Sequence, residues 1–287
     1  MTTQPTPTST FADRVSAARS VHGPLVAGLD PAGDLLETWG LGDDPGGLER
    51  FVDIVVGAFN GVVGFVKPQS AFYERHGWEG IRALSRLIDE CRSAGLMVIV
   101  DAKRGDVGST NDAYAEAYLG PHAPLGADAL TVHPYLGLAA MGAFIDRAHE
   151  HGAGLLVVTR SSNPEGRWVQ TARSGDHSTV EEGLLRDIGE INARLAPGRI
   201  GPLGAVIGPT PSGADLDLAA ARALFLAPGV GAQGATVADV ARCFEACPDR
   251  VLPSASRSLL AAGPESRSLR DAAARLADQL GQALGDR

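Results

Sequence analysis

The chain has 287 residues, 44% of them hydrophobic and 21% charged, with 34 acidic against 25 basic side chains for a net charge of −9. That length suits one α/β barrel, the apolar share can bury a full core, and the acidic balance argues against a nucleic-acid partner, which would want a basic face. The three cysteines, Cys91, Cys243 and Cys247, are few and odd in number, which argues against a disulfide scaffold, and no second pair completes a zinc site. Cys243 and Cys247 read as buried thiols on a helix in a reducing cytoplasm. Nothing approaches the roughly 18 consecutive apolar residues of a membrane span, so a soluble, cytoplasmic protein with no membrane partner is expected.

The opening MTTQPTPTST lacks the basic region and apolar core of a signal peptide. Residues 1–10 read as a disordered tail, followed by a single domain over 11–287. Short apolar runs then recur at 25–29, 62–66, 97–100, 129–132, 155–159, 205–207, 224–226 and 251–252. Most are continuously apolar rather than alternating, as parallel strands covered on both faces should be. Helix-length segments lie between them. One is announced by Asp44 as N-cap and Pro45 at N1, with Leu48, Phe51, Val52, Val55 and Phe59 on its apolar face. Another carries Trp78, Ile81, Leu84, Leu87, Ile88 and Cys91 and stops at Gly95, a natural C′ residue. A third opens at Ser178 or Thr179, each followed three residues later by a glutamate, Glu181 or Glu182. A terminal helix uses Leu269, Leu276, Leu280 and Leu284. Between the fifth and sixth strands, 163–177 is polar and shows no period, and is expected to form a mobile loop over the site.

Eight alternating strands and helices mean a closed barrel or a large open sheet. An open sheet would usually place a glycine-rich phosphate loop after its first strand. Here the first strand ends in Gly-Leu-Asp30-Pro, and the glycine-rich turn at 228–234 follows the seventh, where barrels commonly hold phosphate. The expected fold is therefore an α/β (β/α)8 TIM barrel. Its active site should lie at the C-terminal strand ends, which carry Asp30, Lys67, Asp101, Lys103, His133, Arg160 and Arg257. Asp101 and Lys103 are two apart, so on a strand both point into the mouth, and Lys67 on the neighbouring strand can reach Asp101. The expected array is Lys67–Asp101–Lys103–Asp106, with each charge holding its neighbours ionised. Such an array suits a reaction that builds negative charge and then needs a proton.

The run Asp101-Ala-Lys103-Arg-Gly-Asp106-Val-Gly-Ser-Thr110 matches Asp-x-Lys-x-x-Asp-(Ile/Val)-x-x-Thr, and with it the chain resembles the orotidine 5′-monophosphate decarboxylases. Gly-Leu-Asp30-Pro, Phe-Val-Lys67-Pro and Pro-Gly-Val-Gly-Ala-Gln233-Gly234 are similar to the longer-chain bacterial branch of that family. The resemblance extends over most of the chain, from Leu25 to Leu260. It implies cofactor-free, metal-free loss of CO2 from a nucleotide, giving uridine 5′-monophosphate in pyrimidine biosynthesis. Lys103 would protonate C6, and Asp101 would face the departing carboxylate. Asp30 and Lys67 would hold the ribose hydroxyls, and Ser162 the pyrimidine edge. Gln233 and Arg257 would grip the 5′-phosphate, with backbone N–H groups of Gly229, Gly231 and Gly234 beside them. Asp106 and Thr110 would reach into the neighbour's site across a homodimer. Arg104 reads as a structural ion-pair partner and His133 as a hydrogen-bonded wall residue.

Loss of CO2 from C6 leaves electrons in an in-plane orbital that the ring carbonyls cannot delocalise. With no electron sink, the protein must stabilise the carbanion electrostatically, and a fixed ammonium does so before donating its proton. Three rivals stay open at this point. A Mg2+-dependent phosphosugar lyase would want a carboxylate near Lys67. A Schiff-base aldolase would want a lysine in an apolar pocket. A non-catalytic nucleotide-binding barrel would show a degraded array, and nothing in this one looks degraded.

Overall fold

In the computed structural model, which describes residues 9–175, 178–209, 215–231 and 234–286, eight parallel strands pair in sequence order and the last closes on the first. They are β1 (Val26–Leu29), β2 (Phe65–Pro68), β3 (Met97–Arg104), β4 (Ala129–Val132), β5 (Gly154–Arg160), β6 (Leu203–Ile207), β7 (Phe225–Pro228) and β8 (Val251–Ala255). The expected TIM barrel is the observed one. Strand residues alternate between two cores. Ala27, Val66, Val98, Leu130 and Leu155 face the surrounding helices. Val26, Phe65, Ile99, Ala129, Leu156, Val206, Leu226 and Leu252 fill the barrel, which Phe11 and Val15 plug from below. Both residues belong to the helix Phe11–His22, opened by a capping box between Thr10 and Asp13. Thr10, the last residue of the expected tail, is thus an ordered cap, while residues 1–8 lie outside the described residues.

The alternation positions the site. Two residues beyond the inward apolar set come Gly28, Lys67, Asp101, Thr131, Val158, Gly208, Pro228 and Ser254. The next inward layer therefore carries the charge, at the C-terminal end of the strands.

Several boundaries move. The second strand, expected at 62–66, begins at Phe65. Val62 and Val63 instead donate their amides to Phe59 O, at 3.0 and 3.3 Å, and close the preceding helix Pro45–Phe59. Lys67 consequently lies inside β2, opposite Gly28 of β1. β3 runs to Arg104 rather than Val100, through a register shift against β4. Thr179, not Ser178, caps the helix Val180–Leu195, paired with Glu182. Asp44 and Gly95 take the expected positions, Gly95 with φ +81°. The stretch 163–177 is less irregular than expected: it holds a 3-10 turn, Pro164–Gly166, and the short helix Arg167–Gln170. Residues 176 and 177 lie outside the described residues. Cys243 ends the helix Val237–Cys243, but Cys247 lies beyond it, so only the first of these two buried thiols is helical. Among the described residues no helix is long and apolar enough to cross a membrane.

Candidate active site

β2 and β3 are hydrogen-bonded neighbours, and this brings Lys67 beside Asp101. Lys67 Nζ lies 2.9 Å from Asp101 Oδ2, and Lys103 Nζ lies 2.5 Å from Oδ1. Gln69 Nε2 also donates to Oδ2 at 3.2 Å, and the Thr131 hydroxyl donates to Oδ1 at 2.8 Å. These donors match the roughly four acceptor sites of an ionised carboxylate. Burial by itself would push the Asp101 carboxyl up, but the charges of Lys67 and Lys103 outweigh it and hold the group well below the usual carboxylate range. For Lys67 burial pulls the ammonium down, and the charges of Asp101 and Asp30 override it, leaving the group above its ordinary value. Both therefore stay ionised around neutral pH. The two lysines differ in access. The Lys67 side chain is 6% exposed and that of Lys103 is 47% exposed, so a ligand in the mouth meets Lys103.

A cavity of about 240 Å3 opens over this trio. Of the expected residues it gathers Asp30, Lys67, Asp101, Lys103, Ser162 and Arg257, with Gly229 beside them. Asp30 Oδ1 is buried without a hydrogen-bond partner. Ser161 and Ser162 both line the wall; the Ser161 hydroxyl accepts from Gln170 Nε2 at 2.9 Å, and Ser162 is exposed. Arg257 is exposed at the start of the helix Arg257–Leu260, across from the turn after β7. In that turn Gly231 and Gly234 have φ of +85° and +90°, which favours glycine at both. The Gly234 N–H is used inside the turn, donated to Gly231 O at 3.0 Å. Gln233 lies outside the described residues.

Other expected members are not brought to the mouth of this chain. The array stops at Lys103, because the 105–108 turn carries Asp106 past the strand end. There the Asp106 carboxylate accepts from Val107 N at 2.8 Å, and its own N–H binds Asn111 Oδ1 at 2.8 Å. Thr110 is exposed in the first turn of the helix Gly108–Tyr118. His133 stands outside the cavity wall. Arg104 is tied to Glu74 and lies over the rings of Tyr114 and Tyr118, at 5.5 and 5.8 Å.

Arg160, read as a mouth residue, instead turns outward at a bulge in β5 and forms a buried two-pronged pair with Glu181. Replacing it with methionine would leave the buried carboxylate of Glu181, a residue 2% exposed, without its counter-ion. The expected cost is about 3–5 kcal/mol of stability in a denaturant titration. Folded variant should keep most of its turnover, and a large kcat loss at unchanged stability would return Arg160 to the site.

Sequence reading missed Gln69, Thr131, Ser254 and Ser256, all on the cavity wall. A signal existed for two of them. Thr131 and Ser254 lie two residues beyond inward Ala129 and Leu252, the spacing that relates Asp101 to Ile99. Among the described residues no group of three or more His, Cys, Asp or Glu side chains is placed to hold a metal ion.

Residues 23–272 match the family described as orotidine 5′-phosphate decarboxylase / HUMPS. An orotidine 5′-phosphate decarboxylase of Salinispora arenicola is 47% identical over 266 residues, covering 93% of this chain and 95% of the relative. One from Streptomyces coelicolor is 46% identical over 277 residues, covering 96% and 98%. A Streptomyces avermitilis crystal structure assigned as orotidine 5′-phosphate decarboxylase superposes with a TM-score of 0.93 at 44% identity, covering 99% of each chain.

Proposed function

The chain belongs to the orotidine 5′-phosphate decarboxylase family, and from that premise we propose that Lys103 delivers the proton that replaces CO2. The enzyme is a carboxy-lyase of pyrimidine biosynthesis that converts orotidine 5′-monophosphate to uridine 5′-monophosphate and CO2. The observation that carries the Lys103 assignment is one carboxylate held by two ammonium groups, only one of which reaches open space. Asp101 keeps the Lys103 ammonium aimed before substrate arrives. As CO2 leaves, the C6 electron pair develops beside the Lys103 ammonium, which stabilises it and then gives up one proton. Because the Asp101 carboxylate is already fixed by Thr131, Gln69 and Lys67, little reorganisation accompanies that step.

Asp30, with its free Oδ1, and Lys67 suit the ribose hydroxyls, and the Ser162 hydroxyl the pyrimidine edge. Arg257, with Gln233 and the turn of Gly229, Gly231 and Gly234, takes the 5′-phosphate. A lysine at position 67 between two aspartates disfavours the metal-dependent phosphosugar chemistry that the same family description includes. Asp106 and Thr110 serve a neighbouring subunit of a homodimer. Residues 11–287 act as one catalytic unit, in the cytoplasm.

Arg257 gives the test. On chelator-treated protein, followed by the loss of orotidine 5′-monophosphate absorbance, Arg257→Ala should reduce kcat/KM about 10- to 100-fold, as losing about 1.5–3 kcal/mol of charge-assisted contact would. Turnover of the bare nucleoside orotidine should hardly change. Equal losses on both would assign Arg257 to the scaffold.

A further inference from the structure

Lys103 has a backbone φ of +45°, in the left-handed region that a side chain with a Cβ seldom enters. Among the described residues only Arg222 shares this feature outside glycine. Such a residue is strained and persists only where its surroundings over-determine it. Here two sets of contacts do so, one on each side of the strand.

On the inner side stands Thr131 of β4, 1% exposed. Its Oγ1 accepts the Lys103 backbone N–H at 3.0 Å and donates its own proton to Asp101 Oδ1 at 2.8 Å. One hydroxyl thus fixes both the backbone of Lys103 and the carboxylate that aims its ammonium. On the outer side the next residue, Arg104, is held by Glu74, by the Tyr118 hydroxyl at 3.3 Å and by the faces of two tyrosines. Arg104 O in turn accepts from His133 N at 3.0 Å, so the strand stays paired beyond the irregularity. From Val100 to Arg104 β3 advances four residues while β4 advances two, from Leu130 to Val132, so the chain between is compressed and Lys103 takes up the difference.

We propose that Thr131 and Arg104 are positioning residues that clamp Lys103 in its left-handed conformation and so set the proton donor against the substrate. The inference rests on the reading of Lys103 as that donor. Released, Lys103 would relax toward an extended backbone and its ammonium would leave the mouth geometry. Misplacement of a reacting group by about 1 Å can cost on the order of a hundredfold.

The test uses Thr131→Val, which keeps the shape and removes the hydroxyl, and Thr131→Ser, which keeps the hydroxyl. Thr131→Val should lower kcat by about 10- to 100-fold with KM and uridine 5′-monophosphate affinity little changed, and Thr131→Ser should recover most of the loss. Arg104→Met should also lower kcat selectively, and it carries the test should Thr131→Val fail to fold. In a Lys103→Ala background either substitution should add almost nothing, because residues acting through one group are not additive. A Thr131→Val or Arg104→Met enzyme that loses stability but keeps kcat within about twofold would overturn the clamp, as would full additivity with Lys103→Ala. Should Lys103→Ala itself stay active, the donor assignment fails instead, and the two failures are told apart.

Discussion

Lys103→Ala is expected to lower kcat by roughly 10⁴-fold or more, about 5.5 kcal/mol of transition-state stabilisation, because one side chain supplies both the electrostatic and the proton-transfer contribution. The fold should survive. The Lys103 side chain is half exposed, and Asp101 keeps Lys67, Gln69 and Thr131 as partners after it is gone. Affinity for uridine 5′-monophosphate, which lacks the departing carboxylate, should be nearly unchanged. The measurement is steady-state decarboxylation beside product binding and a melting curve. Substantial turnover by the alanine variant, with no amine added, would sink the assignment.

A second large effect is expected from mixing two inactive proteins. Asp106 lies past the end of β3 with its carboxylate turned to its own turn. Val107 next to it is 52% exposed, and Tyr135 in the loop after the neighbouring strand β4 is 78% exposed. An exposed apolar rim beside a displaced charge is what a two-fold partner would cover. Lys103→Ala and Asp106→Ala should each be nearly inactive alone. Under conditions that let subunits exchange, a mixed dimer has one site with both defects and one with neither. Random pairing should therefore restore about a quarter of the normal sites. If exchange is demonstrated and activity stays at the level of the separate variants, Asp106 acts within its own chain.

Periodicity and punctuation were enough to read the architecture. Continuous runs such as 97–100 and 129–132 fit strands buried on both faces, and the Asp44-Pro45 start marks a helix by backbone chemistry. The Lys67–Asp101–Lys103 contact was legible for the same kind of reason. Adjacency of consecutive strands in a barrel is a local rule that places Lys67 beside Asp101, and a spacing of two keeps Lys103 near Asp101. The left-handed backbone at Lys103 nevertheless departs from the regular strand that this spacing assumes.

Other features depended on what packs against the chain. Val62 and Val63 have strand composition, yet their amides complete a helix end, because the unsatisfied carbonyl of Phe59 is within reach. Arg160 carries the same signal as Lys67, a charge closing an apolar strand, but a bulge rotates it outward to Glu181, a residue of the helix Val180–Leu195. A bulge leaves no mark in composition, and a buried ion pair between distant segments is decided only when both are in place. Thr131 looked like any β-branched strand residue. Its role comes from lying one strand away from Asp101 and Lys103 with its hydroxyl turned between them, and the left-handed turn of Lys103 follows from that contact and from the anchoring of Arg104. Sequence by itself determined the strand order and which charges stand at the strand ends, since these are local properties. Only the tertiary structure decided which way each points and what holds it there, because orientation depends on the hydrogen bonds of neighbours far away in the chain.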